Sequence, residues 1–314
     1  MNPSVLQFDF ASDFSEGLAS VRSLDRYAYI DRTGKETIVV DSSFDGASPF
    51  SEQRAIVRVN DFYGYIDRAG TVVIAPQFAG ANAFSNGLAV VRTGNRYGYI
   101  NPAGELVIEP QFTLATDFSG GLAAVKVDDR YGYINPQGKW AIDRQFEDAW
   151  EFSESLAVVR VDGQWGYTNP SGAVVIRPKV DGAFSFFEHR ARVRQGNQWG
   201  YLDPSGDMAI PPKFDFASDF SEGLAAVLVG SQWGYINPTG EMVVKPQFAF
   251  AANFSEGLAA VQVGDRVGYL NKQGKMAIEP QFEAVGSFSE GLAWVQNGSQ
   301  WHYLNQRGEL LSAQ

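Results

Sequence analysis

These 314 residues contain no cysteine, and only two histidines and four methionines. Without a thiol there is no disulfide framework, no thiolate nucleophile and no cysteine-type zinc or iron–sulfur site, and the redox compartment stays open. Positive charge is scarce as well. Against 36 Asp and Glu there are 25 Lys and Arg, a net charge of -11, which disfavours generic binding to nucleic acid or to an anionic membrane. No apolar run approaches the ~18 residues that a membrane span needs. Met1 to Gln7 has neither a basic n-region nor an apolar h-region, so a cytoplasmic location is the expectation. P-loop, HExxH and GxSxG patterns are missing too.

What is abundant is glycine (33), phenylalanine (23), tyrosine (13) and tryptophan (7), turn formers and aromatics that suit short strands joined by tight bends. An all-β class follows. The length alone would allow two ordinary domains, but a repeat overrules that count. Tyr29, Tyr65, Tyr99, Tyr133, Tyr167, Tyr201, Tyr235, Tyr269 and Tyr303 are spaced 36 residues apart once and then 34 apart seven times. The longer interval is an insertion between Gly34 and Phe44. One domain, 1–314, therefore holds nine units: 7–42, 43–76, 77–110, 111–144, 145–178, 179–212, 213–246, 247–280 and 281–314.

Residues 77–110 show the unit plainly. Phe84-Ser85-Asn86-Gly87, elsewhere Phe-Ser-Glu-Gly, is a turn signal; Leu88 to Thr93 reads as a strand, Gly94-Asn95 as a two-residue hairpin turn, and Arg96 to Ile100 as its partner. Asn101-Pro102-Ala103-Gly104 has the composition of a type I turn before a third strand, Glu105 to Ile108, which Pro110 is expected to stop. Phe78 to Phe84 is either a short fourth strand or a packed loop. The expectation is a meander of three or four antiparallel strands.

Pairing across Gly94-Asn95 sets Arg92 opposite Tyr97, Val91 opposite Gly98 and Val90 opposite Tyr99. One face then carries Ala89, Val91, Gly98 and Ile100, the other Leu88, Val90, Tyr97 and Tyr99. Both are apolar, so each unit must be sandwiched between two others, small face on large, with Gly98 the point where a neighbouring ring approaches the backbone. Such head-to-tail stacking gives a β-propeller-like closed ring or a shallow open β-solenoid spiral. Gln7 to Gln314 spans nine whole periods plus the insertion, and neither end has a polar cap, which favours the ring. Ala28 and His302 break the glycine slot in the first and last units, which favours the spiral.

Trp165-Gly166-Tyr167, Trp199-Gly200-Tyr201 and Trp233-Gly234-Tyr235, each followed by Asx-Pro-x-Gly and preceded by Phe-Ser-Glu-Gly-Leu-Ala or a variant, resemble the bacterial WG repeat. The resemblance covers residues 7 to 314, with Tyr27, Tyr63, Tyr97 and Tyr131 in the Trp slot of the first four units and Val267 in the eighth. It implies an interaction scaffold without a general catalytic activity, and it carries over no catalytic, cofactor or metal residues.

Four groups of residues are candidates for chemistry. The recurring aromatics form either a ligand surface or, as expected of an alternating stripe, core between units. A basic column, Arg22, Arg58, Arg92, Lys126, Arg160 and Arg194, either receives an acidic partner or stacks on the aromatics opposite, for roughly 0.5–1 kcal/mol each; stacking is expected. Glu16, Glu52, Glu154, Glu188, Glu222, Glu256 and Glu290 form a ring at one height, expected to stabilise turns, because one carboxylate per unit is too sparse for calcium's roughly six to eight oxygens. Unit six departs most from its own consensus, with Val180 for the first Phe and with Phe187, Glu188, His189, Arg190, Arg192 and Arg194; Arg54 fills the same Leu slot as Arg190. Drift at a surface edge explains this as well as a binding patch does.

The reading is a monomeric, non-enzymatic repeat scaffold that binds a protein or peptide partner through rim loops and the patch Arg54, Glu188, His189, Arg190, Arg192 and Arg194. The alternatives are a carbohydrate-active hydrolase using two converging carboxylates, and a purely structural or surface-display module.

Overall fold

In the computed structural model, which describes residues 5–24 and 26–312, unit three is a sheet of four antiparallel strands, Gly80–Ala81, Ala89–Thr93, Arg96–Ile100 and Leu106–Phe112, in plain sequence order. The three cross-strand pairs expected around Gly94-Asn95 all form. Gly94 sits at φ 58, a left-handed conformation that costs glycine least. Asn86 and Gly87, at φ 53 and 79, link the bridged residues Ser85 and Leu88, and two successive left-handed residues make a type I′ turn that matches strand twist. Asn101 Oδ1 accepts from the backbone N–H groups of Ala103 and Glu105, at 3.0 Å each, which fixes the next turn.

Two details of the sequence reading change. Pro110 does not stop the third strand, which runs from Leu106 to Phe112. Tyr97 pairs with Phe112 and Tyr99 with Ile108, so the backbone between Ile108 and Phe112 bulges, and a proline fits there because a bulge frees an N–H from the ladder. The bulge explains Gly98. A Cβ at that position would lie 2.5 Å from the Ile108 carbonyl oxygen and 2.8 Å from the Pro110 nitrogen. Gly98 is therefore required by its own sheet's outer strand and not by a neighbouring ring. In unit one Ala28 pairs with Val39 with no register shift between Ala28 and Tyr29, so a methyl group is accommodated.

Nine such sheets form, eight of four strands and one of three, and no helix occurs among the described residues. Contacts divide the chain into two compact units, Phe62–Gly64 with Val73–Asp219, and Met1–Asp61 with Tyr65–Val72 and Phe220–Gln314. In the former, the large face of unit three (Leu88, Val90, Tyr99) packs on the small face of unit four (Ala123, Val125, Ile134). The large face of unit four (Ala124, Tyr133) packs likewise on Ala157 and Val159. Tyr99 is fully buried and its hydroxyl donates to Thr116 O at 2.8 Å; Tyr133 donates to Trp150 O at 2.8 Å and Tyr167 to Phe184 O at 2.9 Å. Burial pushes these phenols well above their ordinary range.

The other compact unit contains the seam. Leu292 and Tyr303 of unit nine pack on Ala11, Phe14, Ala19 and Val21 of unit one, and Tyr303 donates to Ser12 O at 2.6 Å. The ninth sheet has three strands of its own, Ala284–Val285, Leu292–Asn297 and Gln300–Asn305. Phe8 and Trp301 exchange backbone hydrogen bonds of 2.9 Å at its edge, while Leu311 N donates to Tyr303 O at 2.8 Å. The outer edge is thus assembled from both ends of the chain in two separate pieces. His302 occupies the glycine slot there, with Nδ1 2.9 Å from Leu6 O. Ninth meets first as any unit meets the next, and the fold is a nine-bladed β-propeller, not the open spiral. Of the terminal residues used in the sequence reading, Met1–Ser4 and Gln314 lie outside the described residues.

Gly98→Ala is expected to lower unfolding free energy by about 1–3 kcal/mol, while Ala28→Gly changes it by less than about 1 kcal/mol. Urea titration of both variants checks this; a harmless Gly98→Ala would remove the bulge explanation.

Candidate functional site

Most of the recurring polar residues are consumed by the junctions. The glutamate ring supplies staples, carboxylates that reach forward to a turn N–H of the following unit: Glu16 to Gln53 (3.0 Å), Glu154 to His189 (2.9 Å), Glu222 to Gly257 (2.9 Å), Glu256 to Gly291 (2.8 Å) and, across the seam, Glu290 to Gly17 (2.8 Å). Charge-assisted bonds of this kind are the stronger class. Partial burial pushes Glu222 up, but hydrogen bonds from Lys272 and the Gly257 N–H outweigh it and hold the carboxyl below its ordinary value. The serine before the glutamate slot, present in every unit but the sixth, works beside it. Ser119 donates to Phe152 O, Ser221 to Phe254 O and Ser289 to Phe14 O, each at 2.7 Å.

The basic column stacks only in part. Lys126 lies 5.3 Å over the Tyr131 ring and Arg160 5.7 Å over Trp165. Arg58 instead pairs with Asp45 at 2.7 Å, and Arg92 donates to Ala79 O at 2.7 Å and to Gly94 O at 3.0 Å. Arg194 donates to Gly196 O at 3.3 Å.

The unit-six residues separate into a tip and an interior. Glu188 and His189 are the two left-handed residues (φ 51 and 60) of the hairpin between Gly182–Phe187 and Arg190–Gln195. Both are exposed, and the Phe187 ring beside them is 43% exposed. Arg190 folds back so that Nη1 donates to His189 O at 2.9 Å. Arg54, in the same slot of unit two, does the same to Gln53 O at 3.1 Å; it belongs to the other compact unit and is not part of this hairpin.

Arg192 belongs to the interior. Its guanidinium carbon lies 4.4 Å from the Phe184 ring centroid, 5.7 Å from Trp199 and 6.0 Å from Phe216. Nε is 2.9 Å from Asp219 Oδ1, and Nη1 donates to Ala217 O at 3.3 Å. Burial pushes the Asp219 carboxyl up, and Arg192 pulls it back only in part.

Sequence reasoning missed a recess of about 270 Å³ lined by Thr116, Ala149, Trp150, Glu151 and Ser185. Burial, and then the charge of Asp117, push Glu151 above its ordinary value, while an N–H from Asp117 pulls it back. Asp117 is likewise raised by burial, and Asn82 Nδ2 donates to it at 3.0 Å. The signal was present in the repeat: the position before the second Phe holds Asp13, Asp117, Glu151 and Asp219 in four units but Pro49, Ala83 and Ser185 in others.

The family model described as the WG containing repeat matches residues 6–27, 27–61, 63–97, 97–131, 131–165, 165–199, 199–232, 233–266 and 268–301. The chain belongs to that family. No curated protein matches the sequence. Among solved structures, a eukaryotic initiation factor superposes with a TM-score of 0.64 at 10% identity, over 89% of this chain and 88% of the other. Hsv2 of Kluyveromyces lactis gives 0.44 at 9% identity, over 75% and 93%. PorZ of Porphyromonas gingivalis gives 0.38 at 10% identity, over 99% and 52%. At 10% identity the likeness to the initiation factor bears on the fold alone.

Arg192→Met is expected to cost about 1–3 kcal/mol at neutral pH, because Asp219 loses its charged partner. A carboxyl raised in the folded state contributes stability that is complete below its unfolded value and is lost as pH climbs through the raised one. Removing Arg192 raises Asp219 further, so the cost should shrink on acidification toward the ordinary carboxylate range. Urea titrations across pH read it out, and a cost independent of pH would contradict the assignment.

Proposed function

We propose that this propeller is a rigid, non-enzymatic scaffold that holds a protein or peptide partner through its rim loops, chiefly the unit-six hairpin Phe187 to Arg190. The observation that carries the reading is Phe187 itself. It stands in the slot where Ser119, Ser153 and Ser221 donate to the next unit, and it displays a half-exposed ring instead. Unit six gives up a junction hydrogen bond for an aromatic ring beside an imidazole and a guanidinium. Aromatic and arginine side chains carry a large share of interface energy, and rigid presentation lowers the entropy lost on binding. Arg190, Glu188 and His189 lie at the tip, Arg194 lies along the same strand, and Arg192 supports them from the interior.

A hydrolase would rest on Asp117 and Glu151. Acid–base catalysis by two carboxylates works when their surroundings push the two pKa values apart. Both of these are pushed in the same direction, which supports the scaffold reading over the hydrolytic one.

Restoring the consensus with Phe187→Ser and Arg190→Leu tests the hairpin without removing a structural residue. Pull-down with the double variant is expected to lose partners that the natural chain retains; recovery of every partner at the same yield would sink the hairpin as the contact.

A further inference from the structure

The repeat provides an internal control for the recess beside Trp150. Counting by one period, Arg192 corresponds to Val158 and Ala124, Phe184 to Trp150 and Thr116, and Asp219 to Ser185 and Glu151. In unit six the chain fills the position between an aromatic ring and the next unit's carboxylate with its own guanidinium, 4.4 Å from Phe184 and 2.9 Å from Asp219. In units four and five the corresponding side chains, Ala124 and Val158, are short, apolar and fully buried. At the unit-four position Thr116 stands in the ring's place and Glu151 in the carboxylate's, at the unit-five position Trp150 in the ring's and Ser185 in the carboxylate's, and these four line one recess. Trp150 supplies a ring, Glu151 a carboxylate, and Thr116 and Ser185 hydroxyls. Among the described residues neither Glu151 nor Asp117 has an ion-pair partner.

We propose that this recess binds the guanidinium of an arginine side chain presented by a partner, stacked on Trp150 and paired with Glu151. Three features select that ligand. A cation is favoured because Asp117 adds its charge beside Glu151. Arginine is favoured over lysine because a planar guanidinium stacks on an aromatic face while donating in its own plane, as Arg192 does over Phe184. A single side chain is favoured because about 270 Å³ falls below the roughly 300–1,000 Å³ of pockets for whole drug-sized ligands. The site is distinct from the hairpin tip, Phe187 to Arg190, although Ser185 lies on the strand leading to it, and neither assignment depends on the other.

Titration of the full chain with N-acetyl-arginine methylamide, followed by calorimetry, tests this, with N-acetyl-citrulline methylamide as the neutral isostere. Saturable binding of the arginine probe is expected. It should weaken about tenfold with the citrulline probe and about tenfold in Glu151→Gln, the value of one charged hydrogen bond. Ala124→Arg, which copies unit six, should occlude the recess. Glu109→Gln, an exposed carboxylate outside the recess, should leave binding unchanged and so separates the site from attraction to net charge. Equal affinity for the two probes, no saturation by the arginine probe, or equal losses in Glu151→Gln and Glu109→Gln would each overturn the proposal.

Discussion

The structure depends on a buried tyrosine hydroxyl that must find an acceptor outside its own sheet. A unit of this chain is apolar on both faces, so in isolation it would expose one of them whichever way it turned. Stacking buries both, and it takes the repeated Tyr out of water with its polar end attached. The hydroxyl meets a carbonyl of the following unit, Ser48 O for Tyr29, Thr116 O for Tyr99 and Ser12 O for Tyr303. A buried donor left without a partner costs more than a made bond returns. One side chain thus fixes both the spacing and the direction of each junction.

The serine and glutamate of the Phe-Ser-Glu-Gly turn repeat the same logic nearer the surface. Three side chains from one unit grip the backbone of the next, and none of the three acceptors or donors they reach is a side chain. Sequence can therefore drift at most other positions without loosening the stack, which is how one architecture carries such different rims. Where a unit withdraws from this arrangement, as with Phe187, the departure is conspicuous because the slot has so uniform a purpose elsewhere.

Much of this was legible before any coordinates. The pairing of Arg92 with Tyr97, the opposition of small and large faces, the burial of the tyrosines and the turn-stabilising glutamates all follow from residue spacing and side-chain size. The role of Gly98 was not legible, because it is set by a bulge around Pro110 on another strand. Arg192 was not legible either. It alternates with Arg190 and Arg194 as any surface column would, and only the position of Phe216 and Asp219, brought in from the next unit, draws it inside. The recess at Trp150 escaped for a related reason. Its lining comes from three successive units, Thr116, then Ala149 to Glu151, then Ser185.

The central claim is that one junction serves throughout, the closing one included. Replacing Tyr303 and Tyr133 separately by phenylalanine, and measuring the unfolding free energy of each, addresses it most directly. The same loss of about 1 kcal/mol in both is the predicted result. A Tyr303 variant as stable as the unaltered chain, beside a destabilised Tyr133 variant, would show that the ends do not meet as the interior units do.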